Sequence, residues 1–189
     1  MTRHPLEELL SADAVDILSA IQKGHRAVVD VKGKLAEYFL EKWLAKLQKR
    51  GVIEGFYWFD KDGVPDFSIK FRGTELKMEC KNIRSKELFK NPPAYKVELQ
   101  KTRNSKDGTN TRGYRVSEFQ VLAACLFNHT KRWEYLFICT KHLRRRKAAP
   151  AFLEIMQPVP MKSSAPWRTD LVEVLKKAVI ALASNGEVN

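Results

Sequence analysis

The stretch 64-VPDFSIKFRGTELKMECK-81 decides how the rest of the chain is read. It contains two runs of alternating apolar and polar residues, Val64 to Phe71 and Thr74 to Lys81, joined by Arg72-Gly73. Glycine in a two-residue link supplies the positive φ that tight β-turns require. If Phe71 faces Thr74 across that turn, Phe67 faces Met78 and Ile69 faces Leu76, all on one apolar side. The other side then pairs Lys70 with Glu75, Ser68 with Lys77, and Asp66 with Glu79. A slip of one residue moves every side chain to the wrong face, so a pattern that sorts each pair by polarity specifies the register.

Working outward, the segment before the hairpin reads as helical. Leu6, Leu9, Leu10, Val15, Ile17, Leu18 and Ile21 give residues 5–22 an apolar face, with Gly24 as a stop. A second helix is expected over about 33–50, with Gly51 as its C-terminal cap. Its stripe runs through Ala36, Phe39, Leu40, Trp43, Leu44 and Leu47, and Glu37 lies at the stripe's edge, facing inward more than Glu41 does. Phe56 to Phe59 suggest a strand closed by the turn Asp60 to Gly63.

After the hairpin, residues 82–115 read as irregular around a short strand at Tyr95–Thr102. Ser117 and Gln120 resemble a capping box that opens a buried helix through about Phe127. The run YLFIC at 135–139 reads as a central strand, and residues 169–184 as an amphipathic helix capped by Thr169 with Leu171, Leu175, Ala178, Val179 and Leu182 inward. The expected class is α/β, a mixed central sheet flanked by helices, in a single domain spanning 1–189.

Composition narrows the function. The formal charge is +12, and residues 84–147 alone carry a net +11 with 16 basic and 5 acidic residues. Such concentration suits a face that meets a polyanion. Cys80, Cys125 and Cys139 lie in apolar segments without CxxC spacing, and the four histidines are scattered, so disulfide and zinc frameworks are not expected. No apolar run is long enough to span a bilayer, and the acidic start lacks the pattern of a signal peptide. The expected compartment is the cytoplasm, with no membrane partner.

In the proposed register Asp66 and Glu79 are cross-strand neighbours, and Lys81 projects from the same face two residues on, while Cys80 points to the apolar side. Paired carboxylates offer hard oxygen ligands for Mg²⁺, and an adjacent lysine can offset charge developing on a phosphate or, if neutral, orient or deprotonate a water.

These residues resemble the PD-(D/E)xK, or restriction-endonuclease-like, nuclease superfamily. Pro65-Asp66 and Glu79-Cys80-Lys81 match its motif on the two arms of the hairpin, and Gly33-Lys34-Leu35-Ala36-Glu37 is similar to the first-helix GxxxE of several members. The resemblance implies an αβββαβ core over about 33–140, a basic insertion at about 82–115 and an extension over 148–189. It also implies that Glu37, Asp66 and Glu79 surround the metal, with Lys81 as catalytic lysine and Gln100 as a further candidate.

The expected activity is therefore a Mg²⁺-dependent DNA endonuclease of restriction type, with Mn²⁺ as substitute and a homodimer to cut both strands. The alternatives are a Holliday-junction resolvase or other structure-selective nuclease, and a catalytically silent DNA-binding module of the same fold. Lys101, Arg103, Lys106, Arg112, Arg115, Arg144, Arg145 and Arg146 are the candidate contacts to double-stranded DNA, with RNA a less favoured substrate.

Overall fold

A computed structural model of the chain describes residues 3–61, 63–101 and 113–186. It forms two compact units, residues 1–35 and residues 36–189.

The first unit contains α1 (Pro5–Leu10), α2 (Ala14–Lys23) and the start of α3 (His25–Lys49). The single helix expected over 5–22 is two. Ser11 adopts the left-handed conformation that ends α1, and the Asp13 carboxylate caps α2 by accepting the Asp16 N–H at 2.8 Å. Local side-chain capping thus overrides an apolar period that continues through the break. Gly24 closes α2 as expected.

The second unit is built on one mixed sheet. Its strands are β1 (Gly55–Trp58), β2 (Phe67–Phe71), β3 (Thr74–Lys90), β4 (Pro93–Glu98), β5 (Val121–Cys125) and β6 (Tyr135–Cys139). After the short helix α4 (Phe127–Thr130) and a two-stranded ribbon of β7 (Arg145–Arg146) and β8 (Ala149–Leu153) comes β9 (Met156–Pro160). The chain then ends in α5 (Leu171–Gly186).

Strand β3 is the hub. Its first half pairs antiparallel with β2 and parallel with β5, its second half pairs with β4, and β9 adds beyond β4. The β2–β3 register is the one read from the sequence, Phe67 opposite Met78 through Phe71 opposite Thr74.

Two apolar layers sandwich this sheet. Ala36, Leu40, Leu44 and Leu47 of α3 and Leu171, Val174, Leu175 and Ala178 of α5 pack with Phe67, Ile69, Met78, Cys80, Ala123 and Phe137 on one face. On the other, Leu122, Ala124, Leu136 and Ile138 meet Tyr114, Phe119, Leu143, Leu153 and Trp167. Gly51, at positive φ, lets the chain turn back so that the Val52 N–H reaches the Leu47 carbonyl at 2.9 Å.

Three other expectations are corrected here. The helix expected over 117–127 is β5, every residue of which is buried. Successive residues face opposite layers, so both faces demand apolar side chains and the alternation that marks a strand disappears. Gln120 does not cap a helix. Its side-chain oxygen accepts the Lys77 N–H at 2.9 Å, its own N–H donates to Lys77, and its carbonyl accepts from Thr140, so it ties β3 to the entry of β5.

The irregular region expected from 82 is instead the long second half of β3 and its partner β4, which ends at Glu98 and not at Thr102. YLFIC is strand β6, but among the described residues it pairs with β5 on one side and is bridged at a single position, Phe137 to Arg168, on the other. The αβββαβ order therefore breaks at its second helix, while the mixed sheet flanked by helices stands. Among the described residues no helix is long and apolar enough to cross a membrane.

Truncating Leu44, fully buried on the inner face of α3, should cost ~2–5 kcal/mol of stability in urea unfolding. Ile180→Ala, at a position 63% exposed on α5, should change it by less than ~0.5 kcal/mol. Equal effects would mean that α3 does not pack on the sheet as described.

Candidate active site

The β2–β3 ladder stops at Phe67, one residue after Asp66, whose carbonyl accepts the Phe59 N–H at 2.8 Å. The Asp66 side chain carries on where the backbone ladder ends, its Oδ2 accepting the Cys80 N–H at 2.8 Å. That bond anchors the carboxylate beside β3. Glu79 lies in the first half of β3 beside Leu122 of β5 and is 2% exposed. Lys81, beside Ala124 on the same face, reaches between the acids, with Nζ 2.5 Å from Glu79 Oε1 and 3.9 Å from Asp66 Oδ2. Cys80 points to the opposite, helix-covered layer.

Two carboxylates this close repel, and a cation between them is the ordinary remedy. Burial works to lower the Lys81 pKa, but the charges of Glu79 and then Asp66 outweigh it and hold the amine well above the usual lysine range. In this arrangement Lys81 is an ammonium. The proton-abstracting role that a neutral amine could play is opposed by its own partners.

A residue given no role by the sequence completes the cluster. Tyr114 donates its hydroxyl to Glu79 Oε1 at 2.6 Å, and both side chains are buried. Burial raises the phenol's pKa and, although Lys81 pulls it down, Glu79 adds to the rise, so Tyr114 stays a neutral donor. Its ring meets the edge of Phe119 at 5.5 Å, Lys101 Nζ lies 5.4 Å from its centroid, and its carbonyl accepts from Leu153.

Glu79 Oε1 thus receives both Lys81 and Tyr114. Oε2 is buried and has no hydrogen-bond partner among the described residues. A buried carboxylate oxygen left bare is costly, which makes it the open ligand of the cluster.

Glu37 accepts from Trp58 Nε1 through its Oε2 at 3.0 Å. Its charge is felt at the Cys80 thiol, whose pKa burial raises first and Asp66 and Glu37 raise further. Among the described residues no group of three or more His, Cys, Asp or Glu side chains is arranged to hold a metal ion. The donors that do converge, Asp66 and Glu79, fit the habit of Mg²⁺, which takes one or two carboxylates and keeps several waters, and do not form an all-protein cage.

Gln100 forms an antiparallel bridge with Gly113, next to Tyr114, and makes no side-chain hydrogen bond among the described residues. Lys101 pairs with Glu118 at 2.7 Å. Arg115 is exposed and lies 4.7 Å over the Phe152 ring, which Arg146 approaches from 5.7 Å. Arg144 lies 5.6 Å over Phe89, and Arg145 is exposed on the same ribbon. Arg103, Lys106 and Arg112 lie outside the described residues. The Arg146 guanidinium lies against Gly113, where an added Cβ would displace it, so the basic ribbon reaches the residue next to Tyr114.

No protein-family model and no curated protein matches this chain. Among solved structures it is similar to a bacterial homing endonuclease, I-Ssp6803I, at 14% identity and a TM-score of 0.47, over 85% of this chain and 97% of that one. At that level the likeness assigns neither a family nor an activity.

Replacing Lys81 by Met should leave the two acids uncompensated and lower stability by about 2 kcal/mol. That is less than for a fully buried pair, because the Lys81 side chain is 28% exposed. Adding Glu79→Gln to Lys81→Met should recover part of the loss in the same urea titration. A Lys81→Met protein as stable as wild type would show that the ammonium is not what holds the acids together.

Proposed function

We propose that this protein is a DNA endonuclease of the PD-(D/E)xK kind, most simply a restriction-type enzyme, that hydrolyses phosphodiester bonds with Mg²⁺. The observation that carries the reading is the Asp66–Lys81–Glu79 cluster with its one bare, buried carboxylate oxygen. A DNA-binding surface gains nothing from two acids set side by side, because carboxylates repel phosphate. The arrangement has a purpose if the acids hold a divalent cation.

In this reading Asp66 and Glu79 hold the ion through their carboxylate oxygens. When bound, the ion supplies Lewis-acid polarisation of the phosphate and a water of lowered pKa. Lys81 stays an ammonium and sets a fixed positive charge against the phosphoryl oxygens as negative charge accumulates on them. Glu37, which among the described residues forms no three-acid group with Asp66 and Glu79, is the third acid the motif would bring to the ion. Lys101, Arg115, Arg144, Arg145 and Arg146 neutralise backbone phosphates and place the duplex without reading its sequence. Two copies are needed to cut both strands, so the working form is a homodimer, with Mn²⁺ able to replace Mg²⁺.

Plasmid DNA should be cut by the wild type with Mg²⁺ and not with EDTA, while Glu79→Ala and Lys81→Ala should each lose on the order of 10²-fold or more in rate. Undiminished cutting by both variants eliminates the site. For binding, the double variant Arg144→Gln/Arg146→Gln should weaken affinity evenly across sequences and lower the salt slope by roughly two. An unchanged slope would place the duplex elsewhere on the protein.

A further inference from the structure

We infer that Tyr114 is a positioning residue for the metal site, fixing the Glu79 carboxylate so that one of its oxygens is left for the ion. This rests on the nuclease reading above and adds to it a residue outside the acid–acid–lysine motif.

A carboxylate on a β-strand can rotate about its terminal bond, and either oxygen can then meet a cation. Here rotation is blocked from one side. The Tyr114 hydroxyl donates to Oε1 at 2.6 Å, and Lys81 occupies the same oxygen. Both available donors therefore converge on Oε1, and Oε2 is bare.

The tyrosine is itself held by packing. Its ring abuts Phe119, its carbonyl takes the Leu153 N–H at 2.9 Å, and single β-bridges at Gly113 and Arg115 flank it, so the phenol is aimed from a packed segment. Toward Glu79 the Tyr114 hydroxyl acts as donor, and it touches no reacting group. Its effect reaches the phosphate through Glu79, as hydrogen bonds to metal ligands do when they orient the ligand.

The test is Tyr114→Phe in the full chain, which removes one oxygen and keeps the ring. Mn²⁺ is titrated calorimetrically into wild type and variant without DNA. DNA affinity is measured in EDTA, and kcat and KM are measured for an oligonucleotide duplex in Mg²⁺. Melting temperature is recorded for each protein, and all assays run well below the lower value.

Expected are a 10- to 100-fold weaker Mn²⁺ affinity and a comparable fall in kcat at fixed sub-saturating Mg²⁺. DNA affinity in EDTA and KM should be unchanged, and saturating Mn²⁺ should recover much of the rate. In a Glu79→Ala background, where there is no carboxylate to position, Tyr114→Phe should add no further loss of Mn²⁺ affinity.

A folded Tyr114→Phe with wild-type Mn²⁺ affinity and kcat overturns the role given to Tyr114 and leaves the nuclease reading standing. So does a loss of Mn²⁺ affinity that persists in the Glu79→Ala background, since that marks a merely structural effect. A wild type that neither binds Mn²⁺ nor cuts overturns the nuclease reading, and this inference with it.

Discussion

Two carboxylates can share one face of a sheet only if something positive stands between them, and the ammonium of Lys81 is that something. Its position is set by strand geometry alone, because residues two apart on β3 point to the same side. The rest of the site depends on β3 being fixed on both flanks. β2 delivers Asp66 to its edge, and β5 lies along the other side with Leu122 beside Glu79 and Ala124 beside Lys81. An acid 2% exposed is tolerated there because Lys81 and Tyr114 both meet its Oε1, which leaves Oε2 without a hydrogen-bond partner among the described residues.

The charge distribution follows the same logic. The excess of basic residues lies in the central stretch of the sequence, and the acids of the site, Asp66 and Glu79, lie just ahead of it. In three dimensions they meet through Tyr114, whose hydroxyl touches Glu79 while the next residue, Arg115, is exposed over Phe152 beside Arg146. Under the proposed function, a polyanion drawn to the basic ribbon arrives beside a pocket of negative charge that only a cation can make acceptable to it.

How much of this was legible beforehand depends on how local each signal is. The hairpin was readable because its alternation, its glycine and its polarity pairing all lie within eighteen residues. The α3 stripe was readable for the same reason, since Ala36, Leu40, Leu44 and Leu47 are buried as their spacing requires. β5 is not legible in this way, because burial on both faces erases alternation and its run of apolar residues satisfies a buried helix equally well. Asp13 breaks the first helix through one side-chain bond that no periodicity announces.

The site divides along the same line. Asp66, Glu79 and Lys81 came from a short motif on one hairpin. Tyr114 acts on Glu79 across 35 residues of sequence, and no spacing rule links a lone tyrosine to a distant acid. The one available signal was its place directly after Gly113, at the end of a basic stretch that leads into a buried strand. Glu37 shows the converse, an acid whose sequence context suggested a ligand and whose carboxylate accepts from the indole of Trp58.

The central claim is that Asp66 and Glu79 together grip a divalent ion, and anomalous diffraction from crystals soaked in Mn²⁺ addresses it most directly. The account predicts a peak roughly 2.1 Å from Glu79 Oε2 and in bonding contact with Asp66. Crystals with no peak between those carboxylates, or with Mn²⁺ bound only at other groups, would contradict it.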